Sequence, residues 1–295
     1  MEKIIVIMGT NASGKSGLGV QLARRYGGEI VSADSRQVFR GLDLGSGKIA
    51  PEETQGVPHH LIDVCEPGDF FSMHDFQHLA YAAIDGILDR GRLPFLVGGT
   101  GLYVASVTEG YVMSDRAPDL EYRAYLETFE TAKLYEMLLE AVPDTDVEPK
   151  NRNRVMRLLE KLHAGDDHVP RSQPRYDCLK LGVTWDRDAL RARIDERLER
   201  RLRAGMIEEV RGLIDRGVST EFLNKLGLEY RFITQYLTGE IASREEMVER
   251  LSTAIKQFAK RQMTWFRRDG DILWLDMTGD PVAQAAEAID GFLAQ

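Results

Sequence analysis

The stretch Gly9-Thr-Asn-Ala-Ser-Gly-Lys-Ser16 matches the phosphate-binding pattern G-x-x-x-x-G-K-[ST] at every position. The apolar run Lys3–Met8 precedes it and a helical pattern continues to Tyr26, which predicts a strand, a glycine loop and a helix. Such a loop points its backbone N–H groups at an anion, and the helix N-terminus adds its positive dipole end. Lys15 supplies a full positive charge, and Ser16 offers a hydroxyl to a Mg²⁺ ion held between phosphate oxygens.

This phosphate-binding loop, or P-loop, predicts a nucleotide-binding protein but does not identify the ligand. ATP is the common ligand of such loops, whereas a diphosphate on another carrier suits the same cradle. The residues that we expect to contact the phosphates are Gly9, Thr10, Asn11, Ala12, Ser13, Gly14, Lys15 and Ser16, with Ser16 as the metal ligand.

Strand and helix patterns alternate over the first 110 or so residues. Glu29–Ala33 reads as a second strand, and His60–Val64 reads as a weaker third. A helix follows from the capping residue Ser72, and the continuous apolar run Leu93–Val97 suits a central strand that is buried on both faces. The fold class predicted is α/β, with a P-loop NTPase-like parallel sheet flanked by helices.

The pattern changes after about residue 113, where helical periodicity continues without a clear strand. Cys178–Trp185 returns to a strand, and Asp188–Arg216 reads as one long helix. We therefore divide the chain into a first part of the core at 1–113, a helical insertion domain at 114–176, and a return to the core with C-terminal helices at 177–295.

Composition excludes several classes of protein. The net charge of −9 argues against a protein that coats nucleic acid non-specifically, although it leaves room for a local basic groove. No stretch approaches the roughly 20 apolar residues that span a bilayer, and the N-terminus lacks the features of a signal peptide. Cys65 and Cys178 form no C-x-x-C pair. We expect a cytoplasmic protein with reduced cysteines and no membrane partner.

Asp34 follows the second strand, at the sheet edge where ligands bind in parallel α/β proteins. It suits water-mediated binding of Mg²⁺ or removal of a proton from a substrate, and a purely structural role in a turn remains an alternative. Gln37 extends the hydrogen-bonding reach of the same loop. Thr100, in the glycine-rich turn Gly98–Gly101 after the fourth strand, contacts the phosphate or the acceptor, unless the turn only needs glycine for its geometry.

Basic residues cluster in three places. Lys150, Arg152, Arg154 and Arg157 are poorly balanced by acid, so we expect this group to contact a phosphate backbone. In the long helix, acidic neighbours alternate with Arg191, Arg193, Arg197, Arg200, Arg201 and Arg203, which favours a solvated, salt-bridged face. The group from Lys256 to Arg268 includes Trp265 and Phe266, which either stack on bases or pack in the core.

Several motifs together resemble the bacterial tRNA dimethylallyltransferases, also called tRNA isopentenyltransferases. Besides Gly9–Ser16, the motifs are Ser32-Ala-Asp-Ser-Arg-Gln-Val38, Pro58-His-His-Leu-Ile-Asp63, Phe95-Leu-Val-Gly-Gly-Thr-Gly-Leu-Tyr103, Asn153-Arg-Val-Met-Arg157 and Phe258-Ala-Lys-Arg-Gln-Met-Thr-Trp-Phe266. The resemblance implies a prenyltransferase of tRNA processing. Its P-loop holds dimethylallyl diphosphate rather than ATP, and its acceptor is N6 of the adenosine directly 3′ of the anticodon.

The resemblance also implies roles for single residues. Asp34 matches the catalytic aspartate, which takes the proton of the adenine amine, and it acts with Lys15, Ser16 and Thr100. Mg²⁺ is the implied cofactor. The tRNA-contacting positions implied are Asp34, Ser35, Arg36, Gln37, Thr100, Arg123, Asn153, Arg154, Val155, Met156 and Arg157. The chemistry is coherent, because a weakly nucleophilic amine needs orientation, deprotonation and a stabilised leaving group.

Two positions depart from the family pattern. The segment Leu226–Arg231 is two residues longer than the usual Gly-Tyr-Lys/Arg, so the basic residue that meets the diphosphate is Arg231 or Lys225, and we take Arg231. Phe39 stands where the family tends to have tyrosine, which suggests an altered tRNA preference.

Three other functions are compatible with parts of the sequence. A P-loop small-molecule kinase with Asp34 as the base leaves the basic insertion unexplained. A non-catalytic RNA-binding protein leaves Lys15, Ser16 and Asp34 unexplained, and an adenylate isopentenyltransferase does not need an insertion built for a polymer. We expect a monomer whose partners are the anticodon stem-loop of tRNA and dimethylallyl diphosphate.

Overall fold

A computed structural model describes residues 1–113, 119–165 and 171–295. The chain divides into two compact units, of which the first comprises Met1–Glu109 and Pro174–Gln295 and the second comprises Gly110–Gln173. The first residues of the predicted insertion, 114–118, and residues 166–170 within it lie outside the described residues. Tyr176, the last residue of that predicted insertion, begins a strand of the first unit.

The first unit contains a parallel sheet of six strands within the described part of the chain. Their order across the sheet is β3-β2-β4-β1-β5-β6, and every pairing is parallel. The strands are β1 Glu2–Gly9, β2 Glu29–Ala33, β3 His59–His60, β4 Pro94–Gly98, β5 Tyr176–Thr184 and β6 Leu273–Asp276. The predicted α/β class with a parallel sheet is therefore confirmed.

Alternate residues of the central strand β1 pack against helices on opposite faces of the sheet. Ile4 and Val6 belong to a core with the helices that follow β3 and β4, whereas Ile5 and Ile7 belong to a core with the first and last helices. All four side chains are fully buried. The unbroken apolar run in the sequence is thus explained by helices on both faces of the sheet.

The helices of the first unit have bounds close to the predicted ones at several places. They are α1 Lys15–Arg25, α2 Met73–Asp89, α3 Gly101–Thr108, α7 Arg187–Arg203, α8 Met206–Asp215, α9 Thr220–Leu226, α10 Leu228–Leu237, α11 Arg244–Phe266 and α12 Pro281–Leu293, with a short 3₁₀ turn at Pro51–Thr54. Helices α7 to α11 share a core around Tyr230 and Leu251.

Two sequence predictions of element bounds are wrong. The third strand ends at His60 instead of Val64, because Leu61 and Asp63 take positive φ angles of 64° and 57°, which are incompatible with an extended strand. The predicted helix Asp188–Arg216 is broken at Gly205, whose φ of 99° separates α7 from α8.

The second unit is built from three helices within its described residues. They are α4 Leu120–Glu127, α5 Thr131–Ala141 and α6 Arg152–His163, and they enclose a small core around Leu126, Leu138 and Leu159. The side chain of Asn151 caps α6 by accepting a hydrogen bond from the N–H of Arg154 at 3.2 Å. In the described parts of both units, no helix combines the length and apolar character that a membrane span requires.

Candidate active site

The P-loop connects the carboxyl end of β1 to α1. Gly14 takes a φ of 89°, which only glycine adopts at little cost, and Ala12 also has a positive φ, at 61°. A Cβ atom on Gly9 would lie 2.4 Å from Cγ2 of Val183 on β5, so this position tolerates no side chain. Lys15 is buried, and its Nζ donates to the carbonyl oxygen of Thr10 at 3.3 Å.

Side chains from distant parts of the chain hold the P-loop in place. Nε1 of Trp185 donates to the carbonyl of Ser13 at 2.8 Å, and Nε of Arg193 donates to the carbonyl of Ala12 at 3.1 Å. The guanidinium of Arg193 in turn lies over the Trp185 ring, 4.2 Å from its centre. Gln262 accepts from the N–H of Asn11 at 3.0 Å. The loop conformation is therefore fixed by α7 and α11 as well as by its own glycines.

A cleft of about 560 Å³ opens beside the P-loop, and arginines of α7 form one of its walls. Arg193, Arg197, Arg200 and Arg201 line it, whereas Arg203 points elsewhere and pairs with Glu199. The prediction of a solvated, salt-bridged helix face is therefore wrong for Arg197 and Arg201. The sequence did hold a signal for this face, since the spacing 193, 197, 200/201 follows the helical period of about 3.6 residues.

Positively charged side chains outnumber negatively charged ones at this cleft. Burial, followed by the proximity of Arg197, lowers the pKa of Lys15 to about 8, and Asp34 opposes that shift. Burial and the neighbouring Arg201 also lower the pKa of Arg197. Within this cluster, the four cations Lys15, Arg36, Arg197 and Arg201 face the two carboxylates of Asp34 and Glu229. Such an excess of buried positive charge is stabilised by an anionic ligand.

Glu229 is a residue of this cluster that the sequence analysis missed. Its side chain is 4% exposed, and its carboxylate oxygens lie 2.9 Å from Nη1 of Arg36 and 3.6 Å from Nη1 of Arg201. Gly227 lets the chain pass Arg36, because a Cβ atom at that position would lie 2.8 Å from Cδ of Arg36. Arg36 is thus directed into the molecule.

Asp34 lies at the carboxyl end of β2 and is 8% exposed. Its Oδ1 accepts from the N–H of Arg36 at 3.0 Å, which is the turn role considered above. Asp34 also lines a small cavity together with Lys15, Ser16 and Gln37. The structure therefore brings the predicted base, the P-loop cation and the P-loop hydroxyl together.

Thr100 and Gln37 shape the loop that carries Asp34. Oγ1 of Thr100 accepts from the N–H of Ser35 at 3.1 Å, so the turn after β4 supports the turn after β2. The side chain of Gln37 accepts from Oγ of Ser32 at 3.0 Å and donates to the carbonyl of Gly47 at 3.2 Å. Both the oxygen and the nitrogen of the Gln37 side-chain amide therefore have a hydrogen-bond partner, which fixes the orientation of the amide before a substrate binds.

Arg231 and Lys225, the two basic residues considered for the diphosphate, are not among the residues that line the cleft beside the P-loop. Arg231 is exposed, and its Nε donates to the carbonyl of Asn224 at 2.9 Å. Lys225 is also exposed and pairs with Glu221 at 2.7 Å. In the described structure, Arg197 and Arg201 occupy the place beside the P-loop that the sequence analysis gave to one of these two.

The remaining predicted tRNA residues lie on α4 and α6 of the second unit. Arg123 and Arg157 reach the same buried carboxylate, Glu160, at 3.6 and 3.2 Å. Arg154 is half-exposed and pairs with the exposed Asp146, and Asn153 is exposed. The structure buries two others in the helical core, namely Val155 and Met156.

A resident metal centre made of protein ligands is absent from the described residues. Neither 1–113, 119–165 nor 171–295 contributes a group of three or more His, Cys, Asp and Glu side chains arranged to hold a metal ion. The hydroxyl of Ser16 and the carboxylate of Asp34 do line one cavity. These oxygen donors suit Mg²⁺, which keeps several waters and is bound largely through substrate phosphates.

Comparisons with known proteins show which family the chain resembles. The family model described as IPP transferase matches residues 37–269, and the one described as isopentenyl transferase matches residues 2–65. The chain is 46% identical to tRNA dimethylallyltransferase 2 of Shewanella sediminis over 97% of both proteins. It is 42% identical to tRNA dimethylallyltransferase 1 of Geotalea uraniireducens, over 97% of this chain and 96% of the relative.

Solved structures show the same likeness. The tRNA isopentenylpyrophosphate transferase of Bacillus halodurans is 37% identical, with a TM-score of 0.77 over 99% of this chain and 96% of the other. A eukaryotic dimethylallyltransferase, solved as it acts on tRNA, is 27% identical, with a TM-score of 0.85 over 100% of this chain and 80% of the other.

Proposed function

This chain belongs to the IPP transferase family, and we infer that it is a tRNA dimethylallyltransferase. It transfers the dimethylallyl group of dimethylallyl diphosphate to N6 of the adenosine on the 3′ side of the anticodon. Relatives with that name align with nearly the whole chain, which confirms the resemblance seen in the sequence. The single structural observation that carries the mechanism is the meeting of Asp34 with Lys15 and Ser16 in one cavity.

We place the diphosphate of the donor on the P-loop, against the cationic wall of the cleft. The backbone N–H groups of Gly9–Ser16 and the ammonium of Lys15 bind its oxygens, and Arg197 and Arg201 add charge-assisted hydrogen bonds. These groups stabilise the negative charge that develops on the diphosphate as the allylic C–O bond breaks. A role of Arg231 or Lys225 in binding the diphosphate stays a prediction from the sequence.

Mg²⁺ is the cofactor that we propose, with Ser16 as its protein ligand and phosphate oxygens as its other partners. An ion held there would supply positive charge that stabilises the leaving diphosphate. The carboxylate of Asp34 lines the same cavity and would help to hold the ion.

Asp34 is the proposed general base. The lone pair of the adenine amine is delocalised into the ring, so N6 attacks only as its proton is removed. As the N6–C1 bond of the prenyl group forms and the C1–O bond breaks, the proton passes from N6 to the Asp34 carboxylate. The contact of Thr100 with Ser35 and the two hydrogen bonds of Gln37 hold this carboxylate loop in position.

Binding of tRNA is proposed for the basic side of α6. Arg154 and Arg157 have half-exposed side chains, and their charge attracts the phosphate backbone. Arg123 shares Glu160 with Arg157, which fixes the direction of both guanidinium groups. The buried Val155 and Met156 then contribute to this surface by packing, and Asn153 by its exposed amide.

An adenine nucleotide is the strongest rival acceptor. The isopentenyl transferase model matches only residues 2–65, which contain the P-loop and Asp34, so it supports prenyl chemistry without specifying the acceptor. The IPP transferase match includes the whole second unit, which favours a polymer. We further propose that the protein acts as a cytoplasmic monomer.

A competitive transfer assay tests this function. Purified protein is mixed with Mg²⁺, radiolabelled dimethylallyl diphosphate, unmodified tRNA and AMP, and a parallel reaction contains ATP labelled at the γ-phosphate. We expect label from the prenyl donor in tRNA and none in AMP. Label in AMP alone would assign an adenylate isopentenyltransferase, and turnover of the γ-phosphate without prenyl transfer would assign a kinase.

A further inference from the structure

The segment from Leu42 to Lys48, which we call the strap, crosses one side of the cleft beside the P-loop, which we call the phosphate cleft. It has no regular secondary structure, yet Leu44, Ser46 and Gly47 line the cleft together with the P-loop. A loop in that place needs an anchor if it is to present fixed groups to a ligand.

One carboxylate and one phenol from outside the strap bind four successive N–H groups of its backbone. Glu209 on α8 accepts from the N–H groups of Asp43, Leu44 and Gly45, at 3.0, 2.6 and 3.0 Å. The hydroxyl of Tyr230 on α10 accepts from the N–H of Ser46 at 3.0 Å and donates to Glu209 at 3.1 Å. Hydrogen bonds to an ionised acceptor are stronger than those between neutral groups, so Glu209 is the main anchor.

Two glycines let the strap approach these side chains closely. A Cβ atom on Gly45 would lie 2.5 Å from Cζ of Tyr230, so the backbone rests directly on the phenol ring. Gly47 has a φ of 67°, and a Cβ atom there would overlap the guanidinium of Arg201. The strap is thus closely packed between a fully buried tyrosine and the cationic wall.

The opposite side of the strap contacts residues of the site itself. The carbonyl oxygen of Gly47 accepts from Nε2 of Gln37 at 3.2 Å and from Nη2 of Arg197 at 3.5 Å. Gln37 belongs to the loop of Asp34, and Arg197 belongs to the wall that faces the diphosphate. A single carbonyl therefore links the acceptor side of the site with the donor side.

We propose that Glu209 and Tyr230 are positioning residues of the transfer reaction. By anchoring the strap, they place the Gly47 carbonyl so that Arg197 and Gln37 hold the directions needed for the diphosphate and for the Asp34 loop. Neither residue touches a reactant. This inference rests on the proposed function for its kinetic consequences, and its binding consequence requires only that the cleft holds a diphosphate.

Kinetics of three variants test the proposal. Glu209→Gln removes the charge of the anchor, Tyr230→Phe removes the hydroxyl but keeps the ring, and Glu208→Gln is the matched control at the exposed neighbouring position. In the full-length protein with Mg²⁺, we expect the KM for dimethylallyl diphosphate to rise about 10-fold or more in the first two variants. The KM for tRNA remains close to wild type and the control is unchanged. The melting temperature of Tyr230→Phe falls, because the buried N–H of Ser46 loses its acceptor, but the variant stays folded.

A double variant and a binding measurement complete the test. Because Tyr230 and Glu209 share one hydrogen bond, Glu209→Gln with Tyr230→Phe has less than the summed effect of the single changes. Calorimetric titration with inorganic diphosphate shows the same loss of affinity without requiring transfer, so it separates a failure of this proposal from a failure of the proposed function. Wild-type diphosphate affinity in a folded Tyr230→Phe variant, or equal increases in both KM values, would overturn the positioning role.

Discussion

Arg36 donates from Nη1 to Oε2 of Glu229 at 2.9 Å, and both side chains are buried beside the P-loop. Arg36 lies two residues after the proposed base, and Glu229 is the second residue of α10. The ion pair therefore connects the Asp34 loop to α10 and supplies part of the charge around the phosphate cleft. It also shows that Arg36, expected from the resemblance to contact tRNA, directs its guanidinium inward.

Loss of the Glu229 carboxylate is expected to destabilise the protein. Glu229→Gln leaves Arg36 and Arg201 buried without their counter-charge, at a cost of about 3 kcal/mol in the free energy of unfolding. Urea denaturation followed by circular dichroism measures this. Glu221→Gln, which breaks the exposed pair with Lys225, is the control and leaves the midpoint unchanged. Equal midpoints for both variants would contradict the buried pair.

Asp34→Asn separates chemistry from binding. The amide keeps the size of the side chain but accepts no proton, so the single-turnover rate of prenyl transfer falls about 10²- to 10⁴-fold. The affinity for tRNA, measured by filter binding, stays within about twofold of wild type. A variant that loses tRNA affinity and keeps its rate would show that Asp34 recognises RNA and is not the base.

Arg197 is expected to bind the donor although the sequence analysis placed it on a solvated face. Arg197→Ala removes charge-assisted hydrogen bonds, so the Kd for inorganic diphosphate rises about 10- to 100-fold. The matched control is Arg203→Ala on the same helix, where the guanidinium pairs with Glu199 away from the cleft. Titration calorimetry compares the two variants, and indistinguishable affinities would remove Arg197 from the donor site.

The low pKa of Lys15 predicts an alkaline limit for donor capture. Its folded pKa of about 8 lies below the usual 10.5, so the ammonium is present below pH 8 and is lost as the pH rises through that value. Since kcat/KM for the donor reports the free enzyme, it falls above about pH 8. In the donor complex the diphosphate raises the pKa of Lys15, so kcat declines only at higher pH.

Lys15→Arg supplies the control for this pH dependence. The guanidinium stays charged across the accessible range, so the residual kcat/KM of the variant lacks the fall near pH 8. If the variant and the wild-type enzyme decline at the same pH, a different group is responsible.

The basic residues of α6 are expected to act through charge. Replacement of Arg154 and Arg157 by alanine weakens tRNA binding. It also reduces the magnitude of the slope of log K against log salt by about two, because two phosphate contacts are lost. Lys133→Ala is the control in the same unit, because Lys133 pairs with the exposed Glu136 on α5. A salt slope that is unchanged by the double substitution would show that these arginines lie away from the phosphate backbone.

Local patterns in the sequence were sufficient for much of this account. The P-loop and the alternation of strands and helices predicted the parallel sheet, and the capping residue Ser72 predicted the start of α2. These features depend on neighbours in sequence, which is why a single chain discloses them.

Features that depend on distant contacts were not predictable. The residues around Arg197 have the composition of a solvated helix, and only the packing of α7 against the P-loop directs them into the cleft. Glu229 and Glu209 likewise have no distinguishing motif, since Arg36, which pairs with Glu229, and Asp43, whose N–H binds Glu209, each lie more than 160 residues away in the chain. The break at Gly205 is a glycine within an otherwise continuous helical pattern, which propensity alone does not resolve.

The central claim is tested most directly by locating the prenyl group on the tRNA product. After reaction with dimethylallyl diphosphate and Mg²⁺, the tRNA is digested with nuclease and its fragments are sequenced by mass spectrometry, alongside a tRNA with guanosine at the target position. We predict one dimethylallyl group per tRNA, on N6 of the adenosine directly 3′ of the anticodon, and none on the guanosine-substituted tRNA. A prenyl group at another nucleotide, or equal modification of both tRNAs, would contradict the account.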